Sequence, residues 1–248
     1  MYGGASIPVN FKLNKRETMK INLNEYTENW ARDTTFTDAR IPPAGDPLFK
    51  SDVQLILTDP RAPSFIDSKA SIRSGGIIRI SPGVNIEAYA IIYGNTSFMP
   101  NSSVGEFTTV GEHVHIGSRA KVDNDVILGN HVFVDADAII ERGAYVGTSS
   151  SIYSRSIVGP GVELGRGSVV HAEMTHLVDI GVVDGYRKVF GQIGGVAYIS
   201  SGCRKFTLAE AIEHWIDHME DRQHTMCLMK AAIALANLRG LKHDIERE

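Results

Sequence analysis

From Val104 every sixth residue is aliphatic: Val104, Val110, Ile116, Val122, Leu128, Val134, Ile140, Val146, Ile152, Val158, Leu164 and Val170. Two residues before each lies a small or β-branched side chain, as at Ser102, Thr108, Ala120, Ala138 and Ser156. Neither helical periodicity nor strand alternation produces a period of six. A flat face six residues long does, with the large aliphatic inward and the small residue at the approach to a corner. An internal period of this kind decides the architecture before any local propensity. The expected fold is mostly β: a left-handed parallel β-helix over 66–176. An N-terminal arm and cap (1–65) precedes it, and an extended segment with a C-terminal helix or helices (177–248) follows.

Three faces close one coil, so residues 18 apart should stack about 4.8 Å apart. Gly111, Gly129, Gly147 and Gly165 form one such column, and Arg119, Asp137, Arg155 and Glu173 form another whose charge alternates. Alternating charge is what a cross-strand ladder favours. Upstream, Ile66, Ile72, Ile78, Val84 and Ala90 step by six, but the next hit is Phe98, which places two extra residues in a corner loop at 93–97. Downstream, His176 puts a polar group in an inward slot and ends the coil.

Outside the repeat, prolines punctuate 42–63, with Val53–Leu57 readable as a strand. Residues 177–206 look extended, with turns at Asp184-Gly185 and Gly194-Gly195. Thr207 and Glu210 form a capping box. The helical pattern that follows carries an apolar stripe of Leu208, Ile212, Trp215, Met219, Met226, Met229 and Ile233, and Gly240 stops it. The polar residues at 220–225 leave open whether this is one helix or two. The stripe would pack along the β-helix or on a neighbouring subunit.

A net charge of −4 gives no electrostatic case for nucleic acid or a membrane surface. Two cysteines, Cys203 and Cys227, cannot support a disulfide framework and suit a reducing compartment. With no signal peptide or membrane-length apolar run visible, the expected location is the cytoplasm.

The aliphatic, small-residue and glycine spacing resembles the hexapeptide-repeat acyltransferase superfamily, over about 105 residues. Two runs resemble tetrahydrodipicolinate N-succinyltransferases: Val84-Asn85-Ile86-Glu87-Ala88-Tyr89, and Ala144-Tyr145-Val146-Gly147-Thr148-Ser149-Ser150-Ser151-Ile152-Tyr153-Ser154-Arg155. A long insertion between those blocks is absent, and the two catalytic carboxylates of that enzyme fall at Met99 and Ile127, which cannot ionise. The resemblance implies an enzyme that moves an acyl group from acyl-CoA (acetyl-CoA or succinyl-CoA) to an amine or hydroxyl of a small-molecule acceptor. It also implies a homotrimer with the reaction in a cleft between subunits, and no metal. Ile127, Phe133 and Ile139 alternate with inward positions and would be the apolar residues available to such an interface.

Attack on a thioester needs a base for the acceptor, and histidine is suited to it. His171 follows inward Val170, so it faces outward, one coil from Tyr153 and two from Asp135 in its column. His113 and His131 stack at one corner beside Ser149, and His115 is outward on the next face. Catalysis is therefore sought first at His171, then His131 and His113, with Glu106 and Glu112 behind them. Coenzyme contacts are expected at Gly111, Gly129 and Gly147, at Tyr153 and at Arg187, with Lys188 beside it. The glycine column has two readings: unusual backbone angles at a turn, or a groove bare of side chains for a pantetheine arm. A γ-class carbonic anhydrase on the same architecture is the alternative enzyme, its metal ligands echoed by Asp135, His171 and His176. His214 and His218 have a zinc-compatible spacing but lack the glutamate of a zinc-protease motif, position 215 being Trp. A non-catalytic assembly protein is the third reading.

Overall fold

The computed structural model describes residues 20–22, 53–59, 64–67, 69–73, 76–183, 185–217 and 222–245. It is the left-handed parallel β-helix expected from the period. Short strands stack into three parallel sheets of seven, six and seven strands, the first ending in one antiparallel strand. Pairings such as His115↔Phe133 and Ile127↔Tyr145 run 18 residues apart. The twelve aliphatics from Val104 to Val170 are all at most 1% exposed. Where the small position is Ser or Thr, its hydroxyl is satisfied inside the corner. Thr108 Oγ1 donates to the Asp123 carbonyl (2.7 Å) and Ser168 Oγ to that of Gly165 (2.8 Å). That satisfaction is what makes a buried hydroxyl tolerable.

Three residues after every inward position from Ile80 onward, the backbone turns through positive φ, at Gly83, Tyr89, Asn95 and so on to Glu173. Most of these are not glycine, at roughly 1–2 kcal/mol each for the left-handed conformation. The coil ladder offsets it: the corner amide donates to the coil before, as His131 N does to the Glu112 carbonyl at 2.8 Å. The charged column lies at one such corner. Arg119 forms a two-bond pair with Asp137 (2.7 Å each), and Arg155 pairs with Glu173 at 2.6 Å.

Two boundaries differ from the sequence reading. The inward series is Ile66, Ile72, Ile80, Ile86, Ile92, Phe98, so the two extra residues lie between Ile72 and Ile80, not at 93–97. Ser71 pairs 20 residues ahead with Ile91, whereas Arg79 pairs 18 ahead with Ser97. Val53–Leu57 pairs in parallel with Gly76–Ile80 and so belongs to the β-helix rather than to a cap. Lys20–Asn22 runs antiparallel to Phe65–Asp67. Apart from residues 58, 59 and 64, the rest of the arm lies outside the described residues.

Beyond Met174 the chain forms a four-stranded antiparallel meander: Thr175–Val183, Tyr186–Ile193, Val196–Ser201 and Arg204–Thr207. Gly194 and Gly195 both have positive φ (56° and 79°), the tight-hairpin turn geometry. Side-chain alternation lets this sheet serve two cores. Val189 and Tyr198 join the β-helix core, whereas Phe190, Ala197 and Ile199 pack against two helices. Helix α1 (Leu208–Asp217) opens on the expected reciprocal capping box, Thr207 N to Glu210 Oε2 at 2.8 Å and Glu210 N to Thr207 Oγ1 at 3.3 Å. Helix α2 (Arg222–Leu238) ends in a Schellman motif at Gly240, with Leu241 N bonded to the Ala236 carbonyl. The helical stripe covers this sheet through Leu208, Trp215 and Met229. Met219 lies outside the described residues. No helix among the described residues is long and apolar enough to cross a membrane.

Candidate functional site

One outer face of the β-helix gathers His113, His115, His131, Asp135, Tyr153 and His171. Its strands are His115–Ile116, Phe133–Val134, Ser151–Ile152 and Val169–Val170. Read across that face, successive coils carry His113, His115 and Gly117; then His131, Phe133 and Asp135; then Ser149, Ser151 and Tyr153; then Gly167, Val169 and His171. The rings form a continuous outward ladder. His115 stacks on Phe133 at 5.1 Å, Phe133 meets Tyr153 edge-on at 6.4 Å, and Tyr153 lies against His171 at 6.0 Å.

His171 sits where the last coil meets the meander, and it is half-buried. Ser200 Oγ donates to the Val169 carbonyl at 2.5 Å, which ties the sheet to this coil. The His171 Nε2 is out of solvent in the single chain and has no hydrogen-bond partner. Burial lowers its pKa from the ordinary histidine value, the Lys205 ammonium assisting and the Arg204 main chain opposing. That direction favours the neutral ring, the protonation state of a general base. Arg204 and Lys205 are not among the sequence candidates. A main-chain group leaves no residue signature, and Lys205 is distant in sequence.

His115 is also held below the ordinary range by burial, against the pull of Asp135. Its Nδ1 is 3.3 Å from Ser97 Oγ, a contact readable from the 18-residue column. Both histidines accept a proton more readily in the unfolded chain. Below about pH 6.5, the unperturbed histidine value, the unfolded state binds more protons, so stability falls as pH declines. Melting temperatures across pH 5–8 should show this drop, and it should shrink in a His115→Gln, His171→Gln double variant. A flat profile in the parent would contradict it.

His113 and His131 stack as expected, with ring centroids 4.8 Å apart and planes within 2°. Both are exposed corner residues with positive φ (57° and 58°), at the margin of the same face.

The glycine column departs from both readings of it. None of Gly111, Gly129, Gly147 or Gly165 has positive φ. A Cβ on Gly129 would meet Thr148 N at 2.6 Å, and one on Gly147 would meet Arg166 N at 2.6 Å. The space beside these residues is filled by the next coil's backbone, so they answer to close approach between coils rather than to an open groove. The last of them, Gly165, lies under Arg187, whose guanidinium carbon is 2.2 Å from where a Cβ on Gly165 would sit. Arg187 is engaged inside the chain: Nη1 pairs with Asp179 Oδ2 at 2.7 Å and Nε donates to the Arg166 carbonyl at 3.2 Å. Lys188 is 2% exposed, donates to the Val183 carbonyl (3.0 Å) and Ser201 Oγ (2.8 Å), and lies 5.1 Å from the Trp215 ring centroid. Neither is presented as a free phosphate contact in the single chain.

Among the described residues no group of three or more His, Cys, Asp or Glu side chains is placed to hold a metal. His176 is exposed and turned toward Thr175 Oγ1 (3.0 Å) and Gln192 Nε2 (2.9 Å), so one chain does not assemble it with Asp135 and His171. His214 stacks on Phe206 at 4.9 Å, and His218 and Asp221 lie outside the described residues.

No protein-family model matches the chain, and no curated protein matches it. Solved structures do. A hexapeptide transferase family protein from Anaplasma phagocytophilum is 18% identical over 76% of this chain and 97% of its own, with a TM-score of 0.32. A perosamine N-acetyltransferase from Caulobacter crescentus, solved with CoA and GDP-perosamine, is 20% identical over 52% and 57%, with a TM-score of 0.31. The N-acyltransferase AntD from Bacillus cereus, solved with dTDP-4-amino-4,6-dideoxyglucose and coenzyme A, is 17% identical over 63% and 88%, with a TM-score of 0.37. Likenesses this distant carry no argument about the chemistry of this chain.

Proposed function

We propose that this chain is an acyl-CoA-dependent acyltransferase acting on an amine or hydroxyl of a small acceptor, with His171 as the general base. The observation that carries the reading is the outward ladder of His115, Phe133, Tyr153 and His171 on one face, which places a half-buried imidazole beside a tyrosine at the last coil. In the reaction the His171 imidazole takes the proton as the acceptor nitrogen or oxygen bonds to the thioester carbonyl carbon. The carbon–sulfur bond then breaks, and the departing CoA thiolate takes that proton back from the imidazolium. The test is release of free CoA thiol from acetyl-CoA and succinyl-CoA against a panel of amino acids, amino sugars and sugar alcohols. Acceptor-dependent release supports the reading. Failure to bind either thioester removes it and favours the non-catalytic assembly reading, which the internally engaged Arg187 and closed glycine column already support.

The acting form in this proposal is a homotrimer with the acceptor between subunits. Its support is apolar surface on the outer faces: Ile127 is 47%, Phe133 37% and Tyr145 41% exposed in the single chain. Patches of this kind mark interfaces, and cyclic closure is their common solution. Light scattering should give about three times the 27.1 kDa chain mass at micromolar concentration. The monomer mass would refute it.

A further inference from the structure

We propose that Ser97 and His115 form a nucleophile–base pair, with Arg79 as the cation for the developing oxyanion. The pair takes an acyl group from a short-chain acyl ester or thioester onto the serine and releases it to water. It lies three coils before His171 on the same face, about 14 Å along the axis at ordinary strand spacing. Its chemistry does not depend on the acyl-transfer reading.

The period of the coil brings these groups together. Arg79 pairs with Ser97, and Ser97 with His115, in parallel register 18 residues apart, so the three occupy one column on adjacent coils. Each stands one residue before an inward position (Ile80, Phe98 and Ile116, all at most 1% exposed), so each side chain is directed outward. Arg79 is exposed, whereas Ser97 and His115 are half-buried. Ser97 Oγ and His115 Nδ1 are 3.3 Å apart. That is slightly beyond the usual range for a nucleophile and its base, as is common before substrate binds. Phe133 stacks on the His115 ring from the next coil, at 5.1 Å with the planes within 9°, and fixes its orientation. The His115 nitrogens are not among the buried, unpartnered atoms of the described residues, in contrast to His171 Nε2. Burial favours the neutral ring, whose Nδ1 lone pair accepts from the hydroxyl. Asp135 lies diagonally across from His115, where its charge favours the imidazolium once it forms. The long Arg79 side chain spans the distance between coils, and its guanidinium supplies N–H donors to an oxyanion at Ser97.

In the first step Ser97 Oγ bonds to the acyl carbonyl carbon as its proton passes to Nδ1. The bond from that carbon to the leaving oxygen or sulfur breaks, and the departing alkoxide or thiolate takes the proton from the imidazolium. Water then attacks the acyl-serine and gives a proton to Nδ1. The serine oxygen leaves the carbonyl carbon, takes that proton back, and the free acid departs.

A fluorophosphonate probe and p-nitrophenyl acetate test the pair on the full chain without CoA. Mass spectrometry should place the phosphonyl adduct on Ser97, and p-nitrophenol should be released. Ser97→Ala should abolish both, and His115→Gln should slow both by roughly 10²-fold or more. Arg79→Gln should slow hydrolysis to a smaller extent, because an exposed cation is screened. Ser103, an outward serine on another face between Asn85 and Lys121, has no histidine beside it, and Ser103→Ala should change neither reaction. Adducts scattered over other serines, no reaction with either reagent, or an unchanged labelling rate in folded His115→Gln would overturn the pair. The site of the adduct in the unsubstituted chain decides the matter even where a variant is unstable. Acceptor-dependent release of CoA thiol with no adduct at Ser97 would overturn the pair and leave the acyl-transfer reading standing.

Discussion

His171→Ala is expected to lower turnover by roughly 10²–10⁴-fold, the usual worth of a positioned general base. The loss should appear in kcat and in kcat/KM together, because the proton moves only in the transition state. Structural damage is a competing explanation, since the ring is half-buried against Tyr153. It is separated in two ways. The midpoint of thermal unfolding should fall by only a few degrees, because the residue lies outside the aliphatic core. Added imidazole should restore part of the activity to His171→Ala. A folded variant with undiminished turnover would remove His171 and move the search to His131, then His113, then His115 with its Ser97 contact. If all four were dispensable, Glu106, Glu112 or the acceptor itself would be left to hold the proton.

The β-helix is legible because its signal is repeated on every face: one large aliphatic per six residues, buried at each occurrence. Its phase in the first coils is misleading for a physical reason. There the small corner slot is itself aliphatic, and Ile78 and Ile80 are both buried, as are Val84 and Ile86. Two interleaved series of period six then look alike, and the strand pairings, Ser71 with Ile91 and Arg79 with Ser97, separate them. The helix caps are legible because capping is local chemistry: Thr207, Glu210 and Gly240 do what their neighbours in sequence require. The meander reads as extended strands with glycine turns, but not as a lid over the open end of the coil, since its first three strands each face two cores at once. The site is legible in part. His171, His115 and Tyr153 can be placed on one face by counting in eighteens. The meander that buries His171 at the last coil cannot, because its strands follow the repeat and share none of its period.

Gly147 and Gly143 lie four residues apart, and they should respond oppositely to substitution. Gly147 lies beside the next coil: a methyl there would sit 2.6 Å from both Arg166 N and Gly165 C, and 2.9 Å from Gly165 O. Those atoms are backbone held in the ladder, where Gly147 N itself donates to the Leu164 carbonyl at 2.7 Å. They cannot rotate away as a side chain would, so the coils must separate. Gly147→Ala should therefore destabilise by about 1–3 kcal/mol or more, the cost of overpacking a close-packed interior. For a chain of this size that lowers the melting temperature by roughly 2–4 °C per kcal/mol. Gly147→Val should be worse. Gly143 is a corner residue at φ +71° with open space around its methyl position. The residue one coil below it in the same column is Asp125, at φ 60°, and Asn95 and Asn101 take the same turn at the other corners, at φ 58° and 60°. Asparagine tolerates that conformation better than other side chains, and replacing glycine narrows the unfolded ensemble. Gly143→Asn should change stability by less than about 1 kcal/mol. Denaturant midpoints of the two variants decide the matter. If Gly143→Asn proved as damaging as Gly147→Ala, backbone angle rather than contact between coils would govern where this β-helix requires glycine.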